Sequence, residues 1–209
     1  MPAVPRALEF LAISGSLRHA SSNSALLRAA AMLAPPGTRI TPFEGLGGLP
    51  YFNPDLDTNP PPPAVRDFRE RIAAADGLVI SSPEYAHGVP GVLKNALDWL
   101  VGGDEIVGKP VGLLNASPRA VHAQASLVEI LQTMAAGVVP AARASVPLLG
   151  RNLDAAAIAA DPELAVMVYR ALAALASVAE AQPRSVPRSG LSGGYEVAPG
   201  GGSGCLLTG

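Results

Sequence analysis

Residues 82–99 read SPEYAHGVPGVLKNALDW. An apolar run from Leu78 to Ile80 precedes them and reads as a buried strand. Pro83, Gly88, Pro90 and Gly91 then turn the chain. Leu93, Ala96, Leu97 and Leu100 fall at i, i+3, i+4 and i+7, which predicts a helix with one apolar face. A strand that runs through a rigid loop into a helix sets that loop at the carboxyl edge of a parallel sheet. Open α/β sheets bind their ligands at that edge. The loop carries Glu84, Tyr85 and His87, an unusual polar and aromatic set for so tight a connection.

The same strand–loop–helix unit recurs on both sides. Leu8 to Ser14 is a near-continuous apolar run, as in a strand buried on both faces. GSLRHASSN, residues 15–23, follows it, then a helix to about Ala34 that Pro35, Pro36 and Gly37 stop. Thr38 to Phe43 is a second, weaker strand. Residues 44–63 hold many Gly and Pro but also Tyr51 and Phe52, which predicts an ordered loop packed near a site. A helix over Pro63 to Ala75 puts Val65, Phe68 and Ile72 inward. Val111 to Leu114 reads as a fourth strand and leads into a third loop, NASPRA, residues 115–120. Leu127, Ile130, Leu131 and Met134 mark a further helix. Gly137 to Val139 and Ala144 to Leu148 surround a fifth strand of undefined register. Asp161, Pro162 and Glu163 come in the order that starts a helix, which continues to about Ala181.

With at most five strands and five helices in alternation, the pattern predicts an α/β fold: a five-stranded parallel sheet between two helical layers. Right-handed crossovers leave few topologies, of which the flavodoxin-like order 2-1-3-4-5 is the simplest. The 209 residues suit one domain, residues 1–181, and a Pro/Ser/Gly-rich stretch, residues 182–209, that reads as a flexible, dispensable tail.

Composition narrows the partners. Net charge is −2, so no nucleic-acid partner is expected. No stretch reads as long and apolar enough to span a bilayer, so no membrane partner is expected either. The one cysteine, Cys205, rules out an intrachain disulfide framework and suits a cytoplasmic setting. Three widely spaced histidines, His19, His87 and His122, do not suggest a metal centre, and each reads first as solvated.

The first loop joins a buried strand to a helix start, where free N–H groups and the helix dipole favour an anion. Ser16, Ser21, Ser22 and Asn23 add hydrogen-bond donors, and Arg18 adds a charged fork suited to phosphate. Neither a nucleoside-triphosphate loop nor a G-x-G-x-x-G dinucleotide cradle is present, so a monophosphate is expected. The plainer alternative has Ser22 capping the helix and Arg18 in solvent.

Two of these stretches carry a family resemblance. PEYAHGVPGVLKNALDW, from Pro83 to Trp99, resembles without a gap a signature of the NADPH-dependent FMN reductases, which include quinone and chromate reductases. Gly15, Ser16, Leu17, Arg18, Ser21 and Asn23 resemble the phosphate signature of the same family. The resemblance covers about Leu8 to Leu148. It implies FMN as cofactor, with its phosphate on the first loop and its ring against Pro83, Glu84, Tyr85, Ala86 and Gly88. It also implies NADPH or NADH as co-substrate, a small-molecule electron acceptor, and a homodimer or homotetramer. Position 86 is often asparagine in relatives and is alanine here. The third loop resembles the family at Ser117 and Pro118, then departs: relatives continue with glycines, this chain with Arg119-Ala120-Val121-His122.

The resemblance implies hydride transfer through FMN, which requires no protein acid or base, so no catalytic residue is assigned. Without a dinucleotide fingerprint, donor and acceptor are expected to share one site over the ring, which predicts a ping-pong scheme. A non-enzymatic electron carrier and a flavin-less phosphate-binding module stay open as alternatives. Glu84 either meets the ligand or pairs with an arginine to brace its loop. Lys94, Asn95 and Asp98 read as a solvated helix face, and Trp99 as core or as a dimer contact.

Overall fold

The computed structural model describes residues 7–182. The stretch read as a tail lies outside them but for Gln182. Five strands form one parallel sheet in the order β2-β1-β3-β4-β5. They are β1 (Leu8–Ser14), β2 (Thr38–Pro42), β3 (Gly77–Ser81), β4 (Pro110–Asn115) and β5 (Gly137–Ser145). Six helices cover the faces: α1 (Ser22–Met32), α2 (Pro63–Ala74), α3 (Gly91–Asp98), α4 (Val121–Thr133), α5 (Ala155–Ala160) and α6 (Pro162–Ala181). The expected sheet and its order are those observed. At most five helices were expected. The sixth is α5, a short run whose N-cap Asp154 accepts a hydrogen bond from the Ala157 N–H. Six residues of mostly alanine give no readable periodicity.

The two central strands explain the order. Every residue of β3 and β4 is buried, because helices press on both faces. One core layer joins α1, α5 and α6 to the sheet through Leu26, Val168, Leu172 and Leu175. The other joins α2, α3 and α4 through Phe68, Ile72, Leu93, Leu97 and Leu127. Trp99 is fully buried in that second layer, so of the two roles open to it the fold takes the core.

One expectation is corrected. Helix α6 has the length and composition of a membrane span, with mean hydropathy 1.6 over an 18-residue window. The sequence reading missed this because Glu163, Arg170 and Glu180 interrupt the run. Here its Leu164, Val168, Leu172, Leu175 and Ala179 are buried in the core, the stripe of a core helix.

The long connection after β2 is ordered, as its aromatic pair predicts, and carries two 3-10 turns, Leu46–Gly48 and Pro54–Leu56. Arg69 of α2 anchors it, with Nη1 and Nη2 donating to the two carboxylate oxygens of Asp57 at 3.0 and 3.2 Å. The same guanidinium donates to the Trp99 carbonyl at the end of α3. Lys109, buried before β4, donates to the Ala75 carbonyl at 2.5 Å and so closes the end of α2. Burial pushes its pKa down, and Asp76 partly offsets this.

Candidate functional site

The loops after β1, β3 and β4 meet at the carboxyl edge of the sheet. The first two pack without a gap. The Gly15 N–H donates to the Ser81 carbonyl at 2.8 Å, and a Cβ on Gly15 would sit 2.6 Å from Ser82 Oγ. A side chain there would force Ser82 or Leu93 to shift.

Ser21 is the N-cap of α1: its Oγ accepts from the Ser24 N–H at 3.3 Å. The alternative capping role for Ser22 is thereby corrected, since Ser22 is already the first helical residue. Asn23 is buried, and its Oδ1 accepts from Ser81 Oγ at 2.9 Å, which locks the helix start to the end of β3. Ser16 Oγ accepts from the Arg18 N–H, closing a small turn that leaves the Arg18 side chain exposed. Among the described residues, the N–H groups of Ser22 and Asn23 have no protein acceptor, and no carboxylate pairs with Arg18. Ser16, Arg18, Ser21, Ser22 and Asn23 are thus together at one helix start, with orphan donors and a free cation.

The second loop is a tight hairpin. Tyr85 and Gly88 exchange both backbone hydrogen bonds, at 3.2 and 2.9 Å. Ala86 and His87 between them have φ of 48° and 60°, the left-handed pair of a type I′ turn. Glycine, asparagine and histidine are the residues met most often in that region, whereas alanine is strained there by roughly 1–3 kcal/mol. Tyr85 projects outward and is 58% exposed, free to lie against a planar ligand.

Two side chains tie this hairpin to the third loop. Glu84 Oε2 accepts the Ala123 N–H at 2.8 Å, in the first turn of α4. The helix needs this, because its own N-cap residue is Ala120, which offers no side-chain acceptor. Glu84 therefore braces its loop, but through a helix N-terminus and not through an arginine. His87 stacks on His122 of α4 with ring centroids 4.3 Å apart, so neither is the purely solvated residue that the sequence suggested.

The third loop spends two of its backbone donors internally. The Ser117 N–H donates to Asn115 Oδ1, and the Arg119 N–H to Ser117 Oγ. Ser117 and Pro118 stand at the same edge as the other two loops; of these two residues only Ser117 keeps a donor, its hydroxyl proton. The exposed Arg119 guanidinium next to them has no carboxylate partner among the described residues.

Asn95 departs from the solvated face expected of it. Its Oδ1 accepts from the Phe52 N–H at 2.7 Å and its Nδ2 donates to the Pro50 carbonyl at 3.0 Å, which also accepts from Trp99 Nε1 at 2.8 Å. The Phe52 ring packs edge-on against Trp99 at 5.1 Å. Of the aromatic pair expected to wall the site, only Tyr51 is free, 90% exposed. Lys94 and Asp98 form the expected surface pair. An asparagine one turn before a tryptophan on an otherwise apolar helix face was the available signal.

Among the described residues, no group of three or more His, Cys, Asp or Glu could hold a metal ion. A cavity of about 520 Å³ opens beside the third loop, between α4 and β5.

Three loops at the carboxyl edge of a 2-1-3-4-5 sheet, the first with orphan N–H donors at a helix start, define a flavodoxin-like α/β protein. A profile of the NADPH-dependent FMN reductases matches residues 8–148, and the chain belongs to that family. It is similar to an NAD(P)H-dependent FMN reductase of Pseudomonas aeruginosa, 46% identical over 53% of this chain and 60% of the relative. It is also similar to a 2-hydroxy-1,4-benzoquinone reductase of Burkholderia, 43% identical over 55% of this chain and 63% of the relative. The chain thus spans about three fifths of the length of these curated relatives. Among solved structures, a flavoenzyme NAD(P)H:(acceptor) oxidoreductase from Paracoccus denitrificans is similar. Its TM-score is 0.67 and its identity 29%, over 83% of this chain and 97% of that one.

Proposed function

We propose that this protein is an NAD(P)H-dependent oxidoreductase that works through bound FMN and reduces quinones or similar small acceptors. One observation carries the reading: the N–H groups of Ser22 and Asn23 stand without protein acceptors beside Arg18, one loop away from an outward-facing Tyr85. This donor set fits a phosphate monoester, and the neighbouring edge fits a planar ring. Gly15 and the Ser81–Asn23 bond hold those two parts in fixed relation.

Bound there, FMN supplies a ring that takes up a hydride and gives back two electrons. The chain's residues bind and orient. Ser16, Arg18, Ser21, Ser22 and Asn23 hold the phosphate. Pro83, Glu84, Tyr85, Ala86 and Gly88 line the ring, with backbone N–H groups of the hairpin available to its polar edge. Ser117 and Pro118 close the far side. In the net reaction NADPH, a proton and a quinone become NADP⁺ and a hydroquinone. Chromate and free flavins are further acceptors. The chain has no second nucleotide fingerprint, so donor and acceptor take turns at one site, a ping-pong scheme. The working form is a homodimer or homotetramer in the cytoplasm.

The test is a visible spectrum of FMN-loaded protein before and after anaerobic NADPH, then after a quinone. Loss of the flavin absorbance and its return are expected. Unchanged absorbance with NADPH and NADH alike would overturn the enzymatic reading.

A further inference from the structure

The cavity between α4 and β5 shares Pro118 with the ring site proposed above, but its other walls have no part in that reading. The alternation of β5 explains it. Ala142 packs into the core of the α6 layer and Ala144, half-buried, packs against it while also reaching the edge of the cavity. Arg143 and Ser145, one residue out of phase, must face the other side. Helix α4 buries Leu127 and Leu131 against the neighbouring layer. The strip above β5 is left open, and the cavity forms there.

Its volume, about 520 Å³, lies within the range of small-molecule sites. The walls are mixed in a specific way. Pro118, Val121 and Pro140 supply apolar surface, while Gln124, Arg143 and Ser145 supply donors. No carboxylate lines the cavity, and among the described residues none lies within 4 Å of the Arg143 guanidinium. An unpaired guanidinium fork beside apolar walls is the pattern that recognises a planar anion.

We infer that this cavity is a subsite for a small aromatic anion, with Arg143 on its carboxylate or sulfonate and Pro118, Val121 and Pro140 on its apolar body. Pro118 belongs both to the cavity wall and to the third loop. A quinone carrying an acidic group would therefore be held at the edge of the ring site. That second statement rests on the flavin reading; anion binding in the cavity does not.

Calorimetry with benzoate and with benzamide, its neutral counterpart, tests the cavity in the FMN-loaded protein. Benzoate is expected to bind about tenfold more tightly than benzamide, and Arg143→Gln to abolish the difference while Arg143→Lys keeps part of it. Equal binding of the two probes, no binding of either, or a preference untouched by Arg143→Gln would overturn the subsite. Kinetics with 1,4-naphthoquinone-2-sulfonate and 1,4-naphthoquinone test the substrate class. Arg143→Gln should raise KM about tenfold for the sulfonate and leave the parent quinone within twofold. Equal effects on both would remove the acceptor role. A wild-type protein whose flavin NADPH does not bleach would instead sink the proposed function, with the benzoate result standing apart from it.

Discussion

The carboxylate of Glu84 lies 2.8 Å from the backbone nitrogen of Ala123 and accepts its N–H, so the second loop caps the helix that follows the third. A capping contact normally lies within one helix end. Here it spans 39 residues and fixes two walls of the candidate site against each other. Glu84→Ala should cost about 0.5–2 kcal/mol of stability, as loss of a cap does. It should also loosen ring binding, and Glu84→Gln, which keeps an acceptor oxygen, should recover most of both. Thermal melts with and without FMN measure the two effects. Unchanged melts for Glu84→Ala would show that the contact contributes nothing.

Arg18 faces solvent beside the orphan donors of α1. Arg18→Ala should weaken FMN by about 1.5–3 kcal/mol, the range for a hydrogen bond to a charged group. Riboflavin, which has no phosphate, should bind wild type and variant alike. Fluorescence titration of the apoprotein with both ligands decides it.

The hairpin at Ala86 and His87 holds two residues in left-handed backbone without glycine. Ala86→Gly should relieve about 1 kcal/mol, the excess cost of a Cβ in that region. In a chain of this size that raises Tm by about 2–4 °C. A lower Tm would mean the turn is not strained as described.

Asn95 holds the Pro50–Phe52 stretch through two hydrogen bonds. Asn95→Ala leaves the Phe52 N–H and one donor's worth of the Pro50 carbonyl unsatisfied, at about 1–3 kcal/mol. Residues 50–57 should then be cut earlier by protease than in the wild type. Identical cleavage patterns in limited proteolysis would contradict this.

The Asp161 carboxyl lies below its ordinary value near 3.8, chiefly because Arg151 hydrogen-bonds it and the Leu164 N–H donates to it. A folded-state pKa below the unfolded one adds stability above about pH 3.8 that is lost as the pH falls through the lower value. Asp161→Asn should therefore lower Tm at pH 7 and make little difference at the acid end. A Tm difference independent of pH would show that charge has no part in the cap.

The sequence by itself determined the sheet. Buried strands read as unbroken apolar runs, helices as a 3.6-residue stripe, and proline and glycine mark where one becomes the other. Those signals are local, so β1, β3, β4 and the faces of α2 and α3 were legible. The grouping of Ser16, Arg18, Ser21, Ser22 and Asn23 at one helix start was legible for the same reason, since Gly15 to Asn23 is one continuous stretch. What the tertiary structure alone decided are contacts between residues far apart in the chain. Glu84 caps α4, Asn95 clamps Pro50 and Phe52, His87 stacks on His122, and Arg143 is left without a carboxylate. Each side chain has several possible partners in sequence. Only the packing of helices on the sheet selects one, because a polar group at a layer boundary takes whatever donor or acceptor the fold brings within about 3 Å.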